Sequence, residues 1–141
     1  MHIWSTDTCG KVGQIRIGTN SHTVTNCALS SCSRYLGTVE HLLGEDGDGD
    51  FYKVSIYDIA KKKNVLPSNK SNAPILGISW SRKAKDLRMV TISHSEAIFW
   101  KPSGVVKRYS CVIGSEQKPV HFTCPAVFSE AGWCYTGSAN G

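Results

Sequence analysis

Three strands of one kind recur along this chain, and their spacing restricts the fold more than any other feature. "HIWS" carries Trp4, "KVSIYD" carries Tyr57 in the corresponding place, and "EAIFWK" carries Trp100. Tyr57 follows Trp4 by 53 residues and Trp100 follows Tyr57 by 43, with the acidic stretch "GEDGDGD" inside the longer interval. Around them, apolar residues alternate with polar ones over short runs punctuated by Gly, Ser, Asn, Asp and Pro. That is the period of two of a half-buried strand and not the 3.6 of a helix.

Allowing roughly ten inserted residues in the first interval, both spacings fall within the forty-odd residues of a four-stranded propeller blade. Other strands keep the same register. Two precede each later aromatic strand: "TVTNCALSS" and "YLGTVEHLL", then "PILGISWS" and "LRMVTISHS"; "VHFTCPAVFS" and "WCYTGSA" begin another set. A less apolar strand follows each aromatic one: "GQIRIGT", "VLPSNKS" and "VKRYSCVIG". The recurring order of inner, second, third and outer strand is the layout of a WD-repeat blade. The expected fold is therefore all-β, a WD-repeat β-propeller segment. It divides into the end of a blade over 1–22, full-length blades over 23–70 and 71–116, and the start of a blade over 117–141. Closed propellers use at least four blades, so other blades or a complementing chain are expected to complete the ring.

A chain of 141 residues suffices for one domain with a real core. No apolar run approaches the roughly 20 residues needed to span a bilayer, and "MHIWSTD" lacks the layout of a signal peptide; no membrane association is expected. The six cysteines (Cys9, Cys27, Cys32, Cys111, Cys124 and Cys134) show no C-x-x-C spacing. They read as core thiols of a reducing compartment, with no metal site and no cofactor.

The run "MVTISHSEAIFWKPSG", residues 89–104, resembles the echinoderm microtubule-associated protein-like family of WD-repeat proteins through Thr91, His94, Ile98, Phe99, Trp100 and Gly104. "VIGSEQKPVHFTCPAVFSEAGWCYTGSANG" is similar to the family's next blade, and "HTVTNCALSSCSRYLGTVE" with "YKVSIYDIAKKK" to the preceding one. The resemblance covers nearly the whole chain and rests on the order and spacing of its motifs. It implies a noncatalytic scaffold of the cytoplasm and cytoskeleton, including the axoneme of a cilium or flagellum, whose partners are microtubules, tubulin or axonemal proteins. The family's HELP motif and coiled coil do not occur in these residues.

In such a blade, inner-to-second and third-to-outer turns lie on one face of the ring. Lys61, Lys62 and Lys63 follow an aromatic strand, and Arg82, Lys83, Lys85 and Arg88 follow an inner strand, so both clusters are expected on the same face. Lys11, Arg34 and Lys101 join them from equivalent turns, and Glu45 to Asp50 falls opposite. The seven residues of the two clusters form the candidate site, a basic patch for an acidic partner; the formal charge of +5 is compatible with it. The plainer reading is that lysine-rich turns keep hairpin tips soluble. Nucleic acid is disfavoured because Trp4, Tyr57, Trp80 and Trp100 sit at strand positions where alternation places them inside, whereas a stacking platform needs exposed aromatics.

Catalysis has thin support. His94, Ser95 and Glu96 share a turn; His121 and Cys124, three apart in a strand, point to opposite faces. His22 is the candidate for a blade histidine bonding Thr38. An EF-hand frame from Asp46 places Asp48 and Asp50 correctly, yet puts Phe51 where glycine belongs and Tyr57 where the closing Glu belongs. The alternatives are a general cytoplasmic WD-repeat adaptor and, behind it, a calcium-responsive module.

Overall fold

The computed structural model describes residues 1–16, 22–44, 49–66, 69–83, 85–110, 112–113, 118–119, 121–123, 127–128 and 134–139. The chain is all-β, as its alternation requires. Five antiparallel sheets form, with no helix among the described residues and no propeller ring.

The first sheet pairs β1 (His2–Trp4) with β2 (Lys11–Gln14). The second orders β3 (His22–Leu29), β4 (Tyr35–Leu42), β5 (Phe51–Asp58) and β6 (Lys63–Asn64), with β7 (Asn69–Ser71) also on β5. The third orders β8 (Ile75–Trp80), β9 (Met89–Ser93), β10 (Glu96–Lys101) and β11 (Gly104–Ser110). Two small pairs follow: β12 (Val112–Ile113) with β13 (Lys118–Pro119), and β14 (Val127–Phe128) with β15 (Cys134–Tyr135).

The central strands are the ones alternation picks out. Every residue of β9, and Tyr35 to Glu40 of β4, is buried because both faces of these strands are covered. One face of the second sheet meets the third through Tyr35, Val39, Val54, Ile56, Ile75, Trp80, Met89, Ile98 and Trp100. Its opposite face meets the first sheet through Leu36, Tyr57 and Ile15, with Met1 and Ile3 alongside. The far face of the third sheet gathers Val90, Ile92 and Ala97 with Phe99, Phe122 and Cys134. Successive sheets therefore stack face to face in chain order.

Two features set how closely the large sheets approach. At Gly37 on β4, an added Cβ would overlap Met89 Sδ and stand 2.8 Å from Ile78 Cδ1, so a side chain at this crossing would have to displace both. Trp80 lies against Tyr35, ring centroids 6.3 Å apart, and its indole Nε1 donates to the Ala28 carbonyl at 2.9 Å. The outer strand of the second sheet splits into β6 and β7. Between them Val65 N donates to Ile56 O at 2.7 Å, and Leu66 turns into the core at 4% exposure.

Three expectations are corrected. Trp4 is 62% exposed, because it stands on the face of β1 opposite Ile3, which no described residue covers; Tyr57 and Trp100 each face the sheet before their own. Cys9, Cys27 and Cys32 are exposed thiols, not core residues. Cys9 and Cys32 sit in turns, and Cys27 lies on edge strand β3, where alternate residues remain open to solvent. The backbone register runs against the expected His22–Thr38 pairing: it sets Leu42 opposite His22 and Cys27 opposite Thr38, four residues or roughly 13 Å along the ladder. Thr38 instead donates to Glu40 Oε1 at 3.1 Å.

Candidate functional site: the basic end of two stacked sheets

Each of the two lysine-bearing turns is built around a carboxylate, Asp58 buried in one and Asp86 half-buried beside Ser81 in the other. Asp58 ends β5 at 1% exposure; its Oδ1 accepts the Lys61 backbone N–H at 3.1 Å, and its Oδ2 accepts Arg34 Nε and Nη2 at 3.2 and 3.0 Å. The Lys61 amide, and after it the Arg34 guanidinium, holds the Asp58 carboxyl below the usual carboxylate range. Lys62 N closes the turn on Ile59 O at 3.3 Å, with Lys62 itself in the left-handed region at φ 52°.

In the β8–β9 turn, Ser81 is 1% exposed and donates to Asp86 Oδ2 at 3.2 Å. Arg88 grips the same carboxylate, Nε to Oδ1 at 2.8 Å and Nη2 to Oδ2 at 2.6 Å, and this guanidinium pulls the Asp86 pKa down. Ser81 N donates to Arg88 O at 2.8 Å, closing the base of the turn.

Topology brings the two turns to one end. Ile59 N donates to Arg34 O at 2.9 Å, which joins the β3–β4 and β5–β6 turns. The Trp80 contacts with Ala28 and Tyr35 then set the start of the β8–β9 turn beside the β3–β4 turn. The β4–β5 loop and the β9–β10 turn, joining the other ends of these strands, lie at the opposite end.

The seven candidate residues divide into two kinds. Lys61, Lys62, Lys63, Arg82, Lys83 and Lys85 are exposed, and no described carboxylate pairs with any of them. Arg88 is half-buried and paired with Asp86, and so is a structural residue of the turn. Of the three cations expected to join them, Arg34 is likewise spent on Asp58, Lys11 donates to Gln14 Oε1 at 3.2 Å, and Lys101 is exposed beside the β10–β11 turn. The spacing Asp-x-Arg, which puts two opposite charges on one side of a tight turn, was the available signal for the Asp86–Arg88 pair.

Sequence reasoning missed the polar groups buried between sheets. Trp100 Nε1 donates to Thr91 Oγ1 at 2.9 Å, both residues almost fully buried. At the matching place in the second sheet, Tyr57 OH reaches past Thr38 to Glu40 Oε1 at 3.3 Å, while Lys53 Nζ donates to Glu40 Oε2 at 3.3 Å. Glu40 has no exposure, and burial together with this carboxylate pushes the Tyr57 pKa up to about 12. Such groups order the interior and are sealed from substrate. Of the acidic stretch, Glu45, Asp46 and Asp48 lie outside the described residues, as does Cys124; Asp50 is paired with His41 at 2.9 Å. Among the described residues no group of three or more His, Cys, Asp or Glu is placed to hold a metal ion, and no helix is long and apolar enough to cross a membrane.

What remains at the basic end is six exposed cations, five on turns anchored by carboxylates and Lys63 at the start of β6. The same end carries the exposed thiol of Cys32 in the β3–β4 turn, 3.4 Å from Ser30 Oγ, and that hydroxyl draws the thiol pKa down. No protein-family model matches the chain, and no curated protein matches it closely enough to count as a relative.

Proposed function

We propose that this chain is a WD-type propeller segment acting as a noncatalytic scaffold of the microtubule or ciliary cytoskeleton, its basic end docking on the acidic surface of tubulin or of axonemal proteins. The observation that carries this reading is the convergence of Lys61, Lys62, Lys63, Arg82, Lys83 and Lys85 on one end of two stacked sheets, all exposed and none in a salt bridge with a described carboxylate. The face-to-face stacking of successive sheets supports the blade assignment over 23–70 and 71–116, as does the repeated bond from an aromatic third-strand residue to a buried polar side chain on the second strand. The exposed faces at Trp4, Val12 and Tyr135 are where further blades of a ring would stack.

Such binding is electrostatic, so it weakens as salt shortens the Debye length to about 8 Å at physiological ionic strength. The test is co-sedimentation with microtubules at low salt. Wild type pellets, whereas a variant with Lys61, Lys62, Lys63, Arg82, Lys83 and Lys85 all changed to Glu stays in the supernatant. Equal pelleting of the two would end the proposal, and wild-type pelleting that ignored added salt would argue against an electrostatic dock.

A further inference from the structure

The end opposite the lysines carries two imidazoles brought together from separate parts of the chain. His94 sits in the β9–β10 turn and His121 in the segment that follows the third sheet, both exposed, with ring centroids 6.1 Å apart and planes at 83°. Neither position depends on a free tip. Phe122 N donates to His94 O at 3.1 Å, Ala139 N donates to His121 O at 2.9 Å, and the Phe122 side chain is packed against Val90, Ile92 and Ala97. The two backbones are therefore held beside each other by these bonds and a buried anchor, with the rings free to turn toward a common ligand.

We propose that His94 and His121 together bind a divalent first-row transition-metal ion. An imidazole nitrogen lies about 2.1 Å from such an ion, which puts each ring centroid about 3.3 Å from it. Two ligands on one ion then have centroids about 4.7 to 6.6 Å apart as the angle at the metal opens from a right angle to a straight line. The observed 6.1 Å falls within that interval. Imidazole suits nickel, copper and zinc, and water completes the coordination at this exposed end. Because the ligands come from the β9–β10 turn and from the segment packed beside it, the ion acts as a staple: it binds the folded arrangement and not the unfolded chain, and so it raises the melting temperature.

The experiment uses the full chain with its thiols capped by iodoacetamide, and nickel(II) as the probe. Calorimetry is expected to show one saturable site per chain, with His94→Gln and His121→Gln each weakening it at least tenfold. His2→Gln and His41→Gln should leave it unchanged, and the wild-type melting temperature should rise with added nickel. Paramagnetic broadening identifies the ligands without any substitution: substoichiometric nickel should broaden the imidazole proton signals of His94 and His121 ahead of the other histidines. Absence of a saturable site, binding that survives both Gln variants, or broadening spread evenly over all histidines would overturn the proposal.

Discussion

Replacing Gly37 by alanine tests the stacking of the two large sheets at its tightest point. The new Cβ would overlap Met89 Sδ, stand 2.8 Å from Ile78 Cδ1 and 3.1 Å from Trp80 Nε1, where apolar atoms prefer roughly 3.5 to 4.0 Å. Met89 has no exposed surface, so its thioether has nowhere empty to retreat, and the Trp80 indole is held by its bond to Ala28. Overpacking of this kind costs about 1 to 3 kcal/mol. Alanine recovers about 0.4 to 1 kcal/mol by restricting the unfolded chain, which leaves a net loss centred on about 1.3 kcal/mol. In a chain of this size that lowers the melting temperature by about 3 to 8 °C. Urea unfolding followed by tryptophan fluorescence reports the loss directly. Adding Met89→Ala should then cost less in the Gly37→Ala background than in wild type, with a coupling of about 1 kcal/mol, because the cavity makes room for the methyl group. A Gly37→Ala variant as stable as wild type, or strictly additive effects, would refute the close crossing.

Other outcomes follow from the buried polar groups and the turns. Thr91→Val keeps the shape but strands the Trp100 indole N–H, at a net cost of about 1 to 2 kcal/mol by denaturant titration. Asp58 has a lowered folded pKa, so its contribution is complete above the ordinary carboxylate pKa of about 4 and is lost as pH falls through the folded value; Asp58→Asn should flatten the stability profile below about pH 4. Tyr57 has the opposite sign: raised to about 12, it stays protonated in the fold while the unfolded chain ionises from about pH 10. Stability therefore falls over that window, and Tyr57→Phe should remove that part of the alkaline loss. Lys62→Gly relieves a left-handed lysine and should stabilise the chain by about 0.5 kcal/mol, after Gly's own entropy cost, while removing one cation from the basic end.

The central strands were legible because both their faces are covered. "YLGTVEHLL" and "LRMVTISHS" become β4 and β9 with ends displaced by one or two residues. The outer strands were not: only the last three residues of "VLPSNKS" form a strand, β7, while β6 forms ahead of the segment at Lys63 and Asn64 and Leu66 turns inward between them, and neither strand's hydrogen bonding is encoded in alternation. Alternation gives the face on which a side chain lies, and whether anything covers that face depends on neighbouring sheets, which is why Trp4 and Cys27 were misjudged. At the candidate site, turn order located both lysine clusters. Pairing across a turn was invisible to that reasoning, so Arg88 and Arg34 were counted as free when Asp86 and Asp58 hold them. The buried Glu40 was equally hidden, since its partners Thr38, Lys53 and Tyr57 come from two strands and meet only through their register.

The central claim is that one end of the stack, and not net charge, engages an acidic partner. Two charge-matched double variants separate these. Lys62→Gln with Lys83→Gln removes two positive charges from the basic end, and Asn72→Asp with Ser95→Asp adds two negative charges at exposed positions of the other. Co-sedimentation with microtubules at low salt should fall several-fold for the first and stay at the wild-type level for the second. An equal fall in both, or no fall in the first, would contradict the account.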